Sequence, residues 1–313
     1  MKRHSIVVTA DLVDAVEAGL AQRYDVRKLS LKALGADDFL AGIGRARAIV
    51  VSPGDPVDAA LIERLPAELG LIASYSTGLD HIDVEAARGR GILVSNTPDV
   101  LTDATADIAI FLILGTVRGA ARASSIIRSG GWDGWTPAQI FGRDLRGLSL
   151  GILGGGRIGA ATALRAQAFG MAINYHSRRQ NPKLGALGAA FYPDLHTFLK
   201  SSDIVSLHIP STPETRRIID ADAIDAMREG GFLINTARGD LVDDDAVVAA
   251  LRNGKLSGVG LDVFNDEPDF DRRYLECPNA LLLPHIGSAT HETRLAMGRS
   301  VIASLDAFFG TSL

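Results

Sequence analysis

A single cysteine, Cys277, occurs in 313 residues. No intrachain disulfide can form, and a reducing, cytoplasmic setting is expected. Basic charge is not in excess either. The formal net charge is −5, which supplies no cationic field for nucleic acid or an anionic membrane. Long hydrophobic runs are missing: the most apolar stretch, Ile108 to Val117, is closed off by Asp107 and Arg118. It is too short to cross ~30 Å of hydrocarbon and reads as a buried helix. The opening MKRHSIVVTADL has too small an apolar core for a signal peptide. The seven histidines are scattered and no H-E-x-x-H occurs, so no metal site is expected.

Glycine is the residue in surplus, at 33 of 313 against an average of about 7%. Its spread through alternating short apolar runs predicts an α/β protein, and the length predicts two domains. Strands are expected at Ser5–Thr9, Ala48–Ser52, Leu71–Ser74 and Ile92–Ser95, with helices at Leu12–Tyr24 and Pro56–Leu65. One long, all-round apolar helix is expected from about Leu101 to Arg128, buried by a neighbouring domain or a second subunit. A glycine-rich loop, Gly130–Gly147, follows it and holds both tryptophans, Trp132 and Trp135, which suggests a partner surface. Six more strands are expected at Ser149–Leu153, Ala172–His176, Ile204–His208, Phe232–Asn235, Val259–Val263 and Leu281–Leu283. Their continuous apolar character marks a parallel sheet covered on both faces. A last helix starts at His291.

Strand Ser149–Leu153 runs into Gly154-x-Gly156-x-x-Gly159, followed by a helix-forming segment and another strand. In that βαβ context the glycines are a dinucleotide-binding fingerprint, with the pyrophosphate at the helix N-terminus. An NAD site usually places Asp or Glu at the end of the second strand to hold the ribose 2′-hydroxyl. No Asp or Glu occurs from Gly154 through Pro193, and Ser177, Arg178 and Arg179 stand there instead. An arginine fork suits a 2′-phosphate, so NADP(H) is expected over NAD(H); the alternative is a solvated basic loop. Gly147-Leu-Ser149-Leu-Gly151 matches a hydrolase nucleophile elbow, but its serine opens a strand instead of sitting on a strand-to-helix turn.

Ligands of such sheets bind at the carboxyl ends of the strands. That edge carries Arg238, the Asp262–Glu267 segment and His285. The set suits hydride transfer to a ketone. Arg238 can bind a carboxylate and polarise a carbonyl, His285 can donate a proton, and Glu267 can hold His285 protonated. Taken singly, each has a plain alternative: an ion pair, a loop charge, a core histidine.

With these motifs assembled, ILGGGRIG, INTARGDLVDDDAV, GLDVFNDEP and LLPHIGSATHETR, the chain resembles the D-isomer-specific 2-hydroxyacid dehydrogenases over nearly its whole length. Within them it is most similar to NADPH-dependent glyoxylate/hydroxypyruvate reductases. The resemblance implies a Rossmann domain at 100–285 and a smaller flavodoxin-like catalytic domain at 1–99 plus 286–313. It implies catalysis by Arg238, Glu267 and His285. Substrate would be held by Thr77, Gly78, Leu79, Arg238, Ser288 and Trp135, the first two through backbone N–H groups. Besides the glycines, Ser177 and the arginines, cofactor contacts would fall on Thr105, Arg157, Ile158, Pro210, Thr215, Thr236, Ala237, Arg238, Asp262, His285 and Gly287. It further implies a homodimer formed through about 101–147, with Trp135 as a lid residue for the other subunit. Gly155 departs from the family's usual Leu or Met. Two rival readings are an aryl-pyruvate reductase, its pocket set by Ser52, Tyr75, Leu79 and Trp135, and a dinucleotide-sensing corepressor. The second is disfavoured because no long tail follows Gly310.

Overall fold

The alternating apolar runs resolve into two parallel sheets in a computed structural model that describes residues 3–138 and 142–310. Two units are distinct: Met1–Leu101 with Ala289–Leu313, and Thr102–Ser288. Both dividing points fall a few residues beyond the boundaries expected from the sequence.

The first unit runs β1 (Ser5–Val8), α1 (Asp14–Arg23), β2 (Asp25–Lys28), α2 (Leu31–Ile43, kinked at Gly35), β3 (Ala48–Val51), α3 (Ala59–Arg64), β4 (Leu71–Ser74), α4 (Val84–Gly89) and β5 (Leu93–Ser95). Among the described residues its five strands pair in the order β2-β1-β3-β4-β5, all parallel. That is the flavodoxin-like winding.

The second unit opens with α5 (Thr102–Val117), α6 (Ala120–Arg128), β6 (Ser149–Leu153), α7 (Arg157–Ala168), β7 (Ala172–His176), α8 (Pro182–Ala186) and β8 (Ala190–Phe191). It continues through α9 (Leu195–Ser201), β9 (Ile204–Leu207), α10 (Ala221–Ala226), β10 (Gly231–Asn235), α11 (Asp244–Asn253), β11 (Leu256–Leu261) and β12 (Ala280–Leu282). Seven described strands lie in the order β12-β11-β10-β9-β6-β7-β8, also parallel. This is Rossmann winding with one strand added, and its direction reverses between β6 and β9. The last helix, α12 (His291–Phe309), returns to the first unit.

The expected long helix is broken. α5 and α6 meet at a bend of 71°, because Gly119 adopts a left-handed backbone (φ 67°) and ends the first helix. Within the single chain, Phe111 of α5 is 50% exposed and α6 buries no residue. No single described helix is long and apolar enough to cross a membrane. Of the loop expected between α6 and β6, residues 139–141 lie outside the described residues.

Helix starts are written in the sequence as local caps. The side chains of Asp58, Asp83, Asp194, Asp220, Asp243 and Thr290 each accept from the N–H three residues on, worth about 1 kcal/mol apiece. Small residues set the closest packing. A Cβ on Gly258 or Gly260 of β11 would stand 2.8 Å from the Thr116 side chain, so both glycines let α5 lie on the sheet. In the first unit a Cβ on Gly298 would stand 2.1 Å from Val16 Cγ2, where α12 crosses α1.

Alanine is the better helix former by about 1 kcal/mol, yet Gly298→Ala is expected to destabilise because overpacking costs about 1–3 kcal/mol. Val16→Ala in the same chain should recover part of the loss. Urea unfolding of the two single variants and the double variant measures this, and a neutral Gly298→Ala would show that the helices part freely.

Candidate active site

At the switch point β6 delivers the chain into the glycine loop. Gly154 has φ +109°, and a Cβ there would stand 2.5 Å from the carbonyl oxygen of His208, just past β9. A Cβ on Gly159 would stand 2.2 Å from Gly154 O, so helix and strand come this close only because residue 159 has no side chain. Gly156 differs: a Cβ would meet no atom of this chain. Packing does not demand glycine there, whereas close approach of a ligand phosphate does. Gly156 also begins α7 without a side-chain cap. Among the described residues nothing accepts from the N–H groups of Gly155 or Gly156, which leaves donors facing a helix N-terminus suited to an anion.

The end of β7 carries Ser177, whose Oγ donates to Arg179 O at 2.5 Å. Arg178 and Arg179 are exposed, and neither forms an ion pair with a described residue. Pro210 and Thr215 share the loop after β9, closed by Thr215 Oγ1 donating to Pro210 O at 2.8 Å. Next to the glycine loop, burial pushes His208 down to about 3, so the ring is neutral; it contacts Ser206 Oγ through Nε2 at 2.9 Å. Arg157 and Ile158 open α7, Arg157 exposed and Ile158 half-buried.

The imidazole of His285 bonds through Nδ1 to Glu267 Oε2 at 2.8 Å, and both side chains stay about one-third exposed, at 37% and 35%. The other Glu267 oxygen accepts from the Phe264 N–H at 2.9 Å. Burial is the largest single influence on Glu267 and pushes it up. The bond to and charge of His285, the Phe264 N–H and the charge of Arg238 outweigh it and hold the carboxyl below its ordinary range. His285 itself has a left-handed backbone (φ 54°), as does Asp266 (φ 55°). Such backbones cost about 1–3 kcal/mol each in non-glycine residues and need support from their surroundings.

Asp262, 1% exposed, gives that support. Its two oxygens accept the N–H groups of Ile286 and Gly287, each at 2.7 Å, and pin the residues after His285. Burial raises its carboxyl against those two bonds and the charge of His285, with Glu267 adding to the rise. Asp262, expected as a cofactor contact, also anchors the histidine loop. A Cβ on Gly287 would reach Asp262 Oδ2 at 3.0 Å and the Thr105 methyl at 3.5 Å, which brings Thr105, Asp262 and Gly287 together. Ser288, half-buried, closes the unit.

Two further supports were not expected from the sequence. Asn235, fully buried at the end of β10, accepts from the Ala237 N–H (2.9 Å) and donates to Arg238 O (2.7 Å). A Cβ on Gly239 would stand 1.9 Å from the Phe264 carbonyl carbon, so the Arg238 turn rests on the backbone of the Glu267 loop. A strand-ending Asn followed two residues later by a turn is an Asx signal; nothing local marks the Gly239 contact. Arg238 is half-buried, with Nη1 donating to Ala237 O at 2.7 Å. Thr236 Oγ1 is buried without a hydrogen-bond partner beside it, an orphan donor that a bound group would satisfy.

In the first unit, Thr77, Gly78 and Leu79 follow β4. Thr77 Oγ1 donates to Thr97 O (2.7 Å) and Thr77 O accepts from Asn96 Nδ2 (2.8 Å). No described acceptor takes the N–H of Thr77 or Gly78. Asp55, 3% exposed, shapes the neighbouring loop by accepting Thr9 Oγ1, Ser52 N–H and Ser52 Oγ on one oxygen. Tyr75, weighed as a pocket residue, is 5% exposed, with its hydroxyl donating to Arg294 O inside the unit. Trp135 is 80% exposed.

The family model of the D-isomer specific 2-hydroxyacid dehydrogenase NAD binding domain matches residues 110–287. A glyoxylate reductase from Thermococcus litoralis is 46% identical over 83% of this chain and 80% of its own length. A glycerate dehydrogenase from Hyphomicrobium methylovorum is 38% identical over 99% and 97%. The NADPH-dependent glyoxylate/hydroxypyruvate reductase from Sinorhizobium meliloti, solved with NADP and malonate, superposes with a TM-score of 0.88 at 36% identity over 99% and 95%. With the Arg238, Glu267 and His285 loops gathered at the carboxyl edge of an NAD-binding sheet, the chain belongs to the D-isomer-specific 2-hydroxyacid dehydrogenases.

Proposed function

We propose that this dehydrogenase reduces a small 2-oxo acid, glyoxylate or hydroxypyruvate, to the D-2-hydroxy acid with NADPH. The observation that carries the chemistry is the 2.8 Å bond between His285 Nδ1 and Glu267 Oε2, under the charge of Arg238. When bound, the nicotinamide supplies the hydride. His285, with Nδ1 committed to Glu267, keeps Nε2 to deliver the proton that turns the carbonyl oxygen into a hydroxyl. Glu267, held as a carboxylate, fixes the ring orientation through Nδ1,. Arg238 binds the acid's carboxylate and polarises the carbonyl, the task a planar fork performs best. In the first unit, the N–H groups of Thr77 and Gly78, beside Leu79, are donors suited to a carboxylate; in the second, Ser288 follows the histidine loop. Gly154, Gly156, Arg157, Ile158 and Gly159 would hold the pyrophosphate, with Thr105, Pro210, Thr215, Thr236, Ala237, Asp262 and Gly287 around the remaining dinucleotide.

The preference for NADPH rests on a segment without carboxylates from Gly154 through Pro193, in which Arg178 and Arg179 are exposed and not ion-paired with described residues. We also infer a homodimer, because Phe111, Ile127, Trp132 and Trp135 leave large apolar side chains uncovered on α5, α6 and the following loop,. Trp135 would then serve the partner's site. A single, buried cysteine suits the reducing cytoplasm.

Initial rates with NADPH and NADH against glyoxylate, hydroxypyruvate and phenylpyruvate test the assignment. NADPH with the two small acids should be fastest; a preference for phenylpyruvate would move the enzyme to the aryl-pyruvate reductases. Replacing Arg178 and Arg179 together by alanine should raise KM for NADPH about tenfold or more, the loss of at least one charge-assisted bond, and leave KM for NADH nearly unchanged. Equal losses with both cofactors would remove the 2′-phosphate assignment.

A further inference from the structure

The glycine loop and the arginine-bearing segment are joined by a residue that belongs to neither motif. Asn181 donates from Nδ2 to Gly155 O at 2.5 Å. Its Oδ1 accepts from the Lys183 N–H at 2.8 Å and caps α8, and its own N–H donates to the Tyr175 hydroxyl at 3.3 Å. The platform beneath it is rigid, since Leu184 is fully buried and Tyr175 only 2% exposed. At the other end of the segment, a Cβ on Gly155 would come within 3.2 Å of both Ser177 Oγ and Leu184 Cδ1. The same Ser177 Oγ bonds back to Arg179 O. Residues 177–181 therefore start and finish against the glycine loop, and Arg178 and Arg179 project from a short span fixed at both ends.

We propose that Asn181 is a positioning residue for cofactor choice: its latch to Gly155 sets the separation between the pyrophosphate donors of the glycine loop and the 2′-phosphate donors Arg178 and Arg179. This rests on the NADPH reading above and deepens it. A dinucleotide carrying a 2′-phosphate must satisfy both donor groups at once, and it does so without ordering the segment on binding only if their spacing is already set. A dinucleotide lacking that phosphate uses the glycine loop alone and is indifferent to the latch. Gly155 serves the same end: a Cβ there would come within 3.2 Å of Ser177 Oγ, so a side chain obliges Ser177 to give by a few tenths of an ångström.

Asn181→Ser separates the latch from the local fold. Serine caps a helix as well as asparagine does but is too short to reach Gly155 O. The unfolding midpoint and kcat with either cofactor are expected to stay unchanged, while the NADPH-to-NADH ratio of kcat/KM falls several-fold, up to about tenfold, through KM for NADPH. Gly155→Ala should shift the ratio in the same direction by displacing Ser177. The variant lacking both Arg178 and Arg179 runs in the same series. If that variant loses the preference while Asn181→Ser keeps the ratio, or loses both cofactors equally, the latch is overturned alone. If the unaltered protein shows no preference for NADPH, the NADPH reading and the latch fall together.

Discussion

An imidazole works as a directed proton donor only when one of its nitrogens is committed elsewhere, and here the 2.8 Å bond from His285 to Glu267 makes that commitment. Much of the second unit serves to hold these two side chains at that distance. Glu267 comes from the segment after β11 and His285 from the one after β12, and both residues or their neighbours carry left-handed backbones. Neither conformation would persist in a free loop. Asp262 secures one by taking two backbone N–H groups, and the Phe264 N–H secures the carboxylate of the other.

Arg238 reaches the same edge by a different device. β10 ends in Asn235, whose side chain shapes the turn that follows, and Gly239 lets that turn rest directly on the backbone at Phe264 and Asn265. Parallel register aligns the ends of β10, β11 and β12, so three loops far apart in sequence meet without long connections. The glycine loop is built by the same economy at the other side of the switch point, where Gly154 passes against the backbone at His208. A sheet that reverses its winding there leaves a crevice that no crossover covers.

What could be read from the chain follows from how local each signal is. Strands such as Leu71–Ser74, Ser149–Leu153 and Ala172–His176 were legible to the residue because buried parallel strands are continuous apolar runs,. β2, Asp25-Val-Arg-Lys, was not: it is an edge strand whose charged side chains guard an open ladder and mimic a loop,. The break at Gly119 was missed because helix-forming residues, Ala120-Ala121-Arg122-Ala123, resume directly after it. Arg238, Glu267 and His285 stood out because titratable groups at strand ends are chemically conspicuous. Asp262 was noticed too, but which of its neighbours it serves depends on packing. The contact at Gly239 and the latch at Asn181 join segments distant in sequence, and no periodicity or spacing records them.

The proton-donor assignment is tested most directly by single-turnover reduction with His285→Asn. Asparagine tolerates the left-handed backbone better than most residues, so the loop and its anchor at Asp262 are preserved while the acid is lost. The account predicts a rate lower by about 10²–10⁴-fold, with cofactor affinity and the unfolding midpoint unchanged. A rate close to that of the unaltered enzyme would contradict it and remove His285 as the source of the proton.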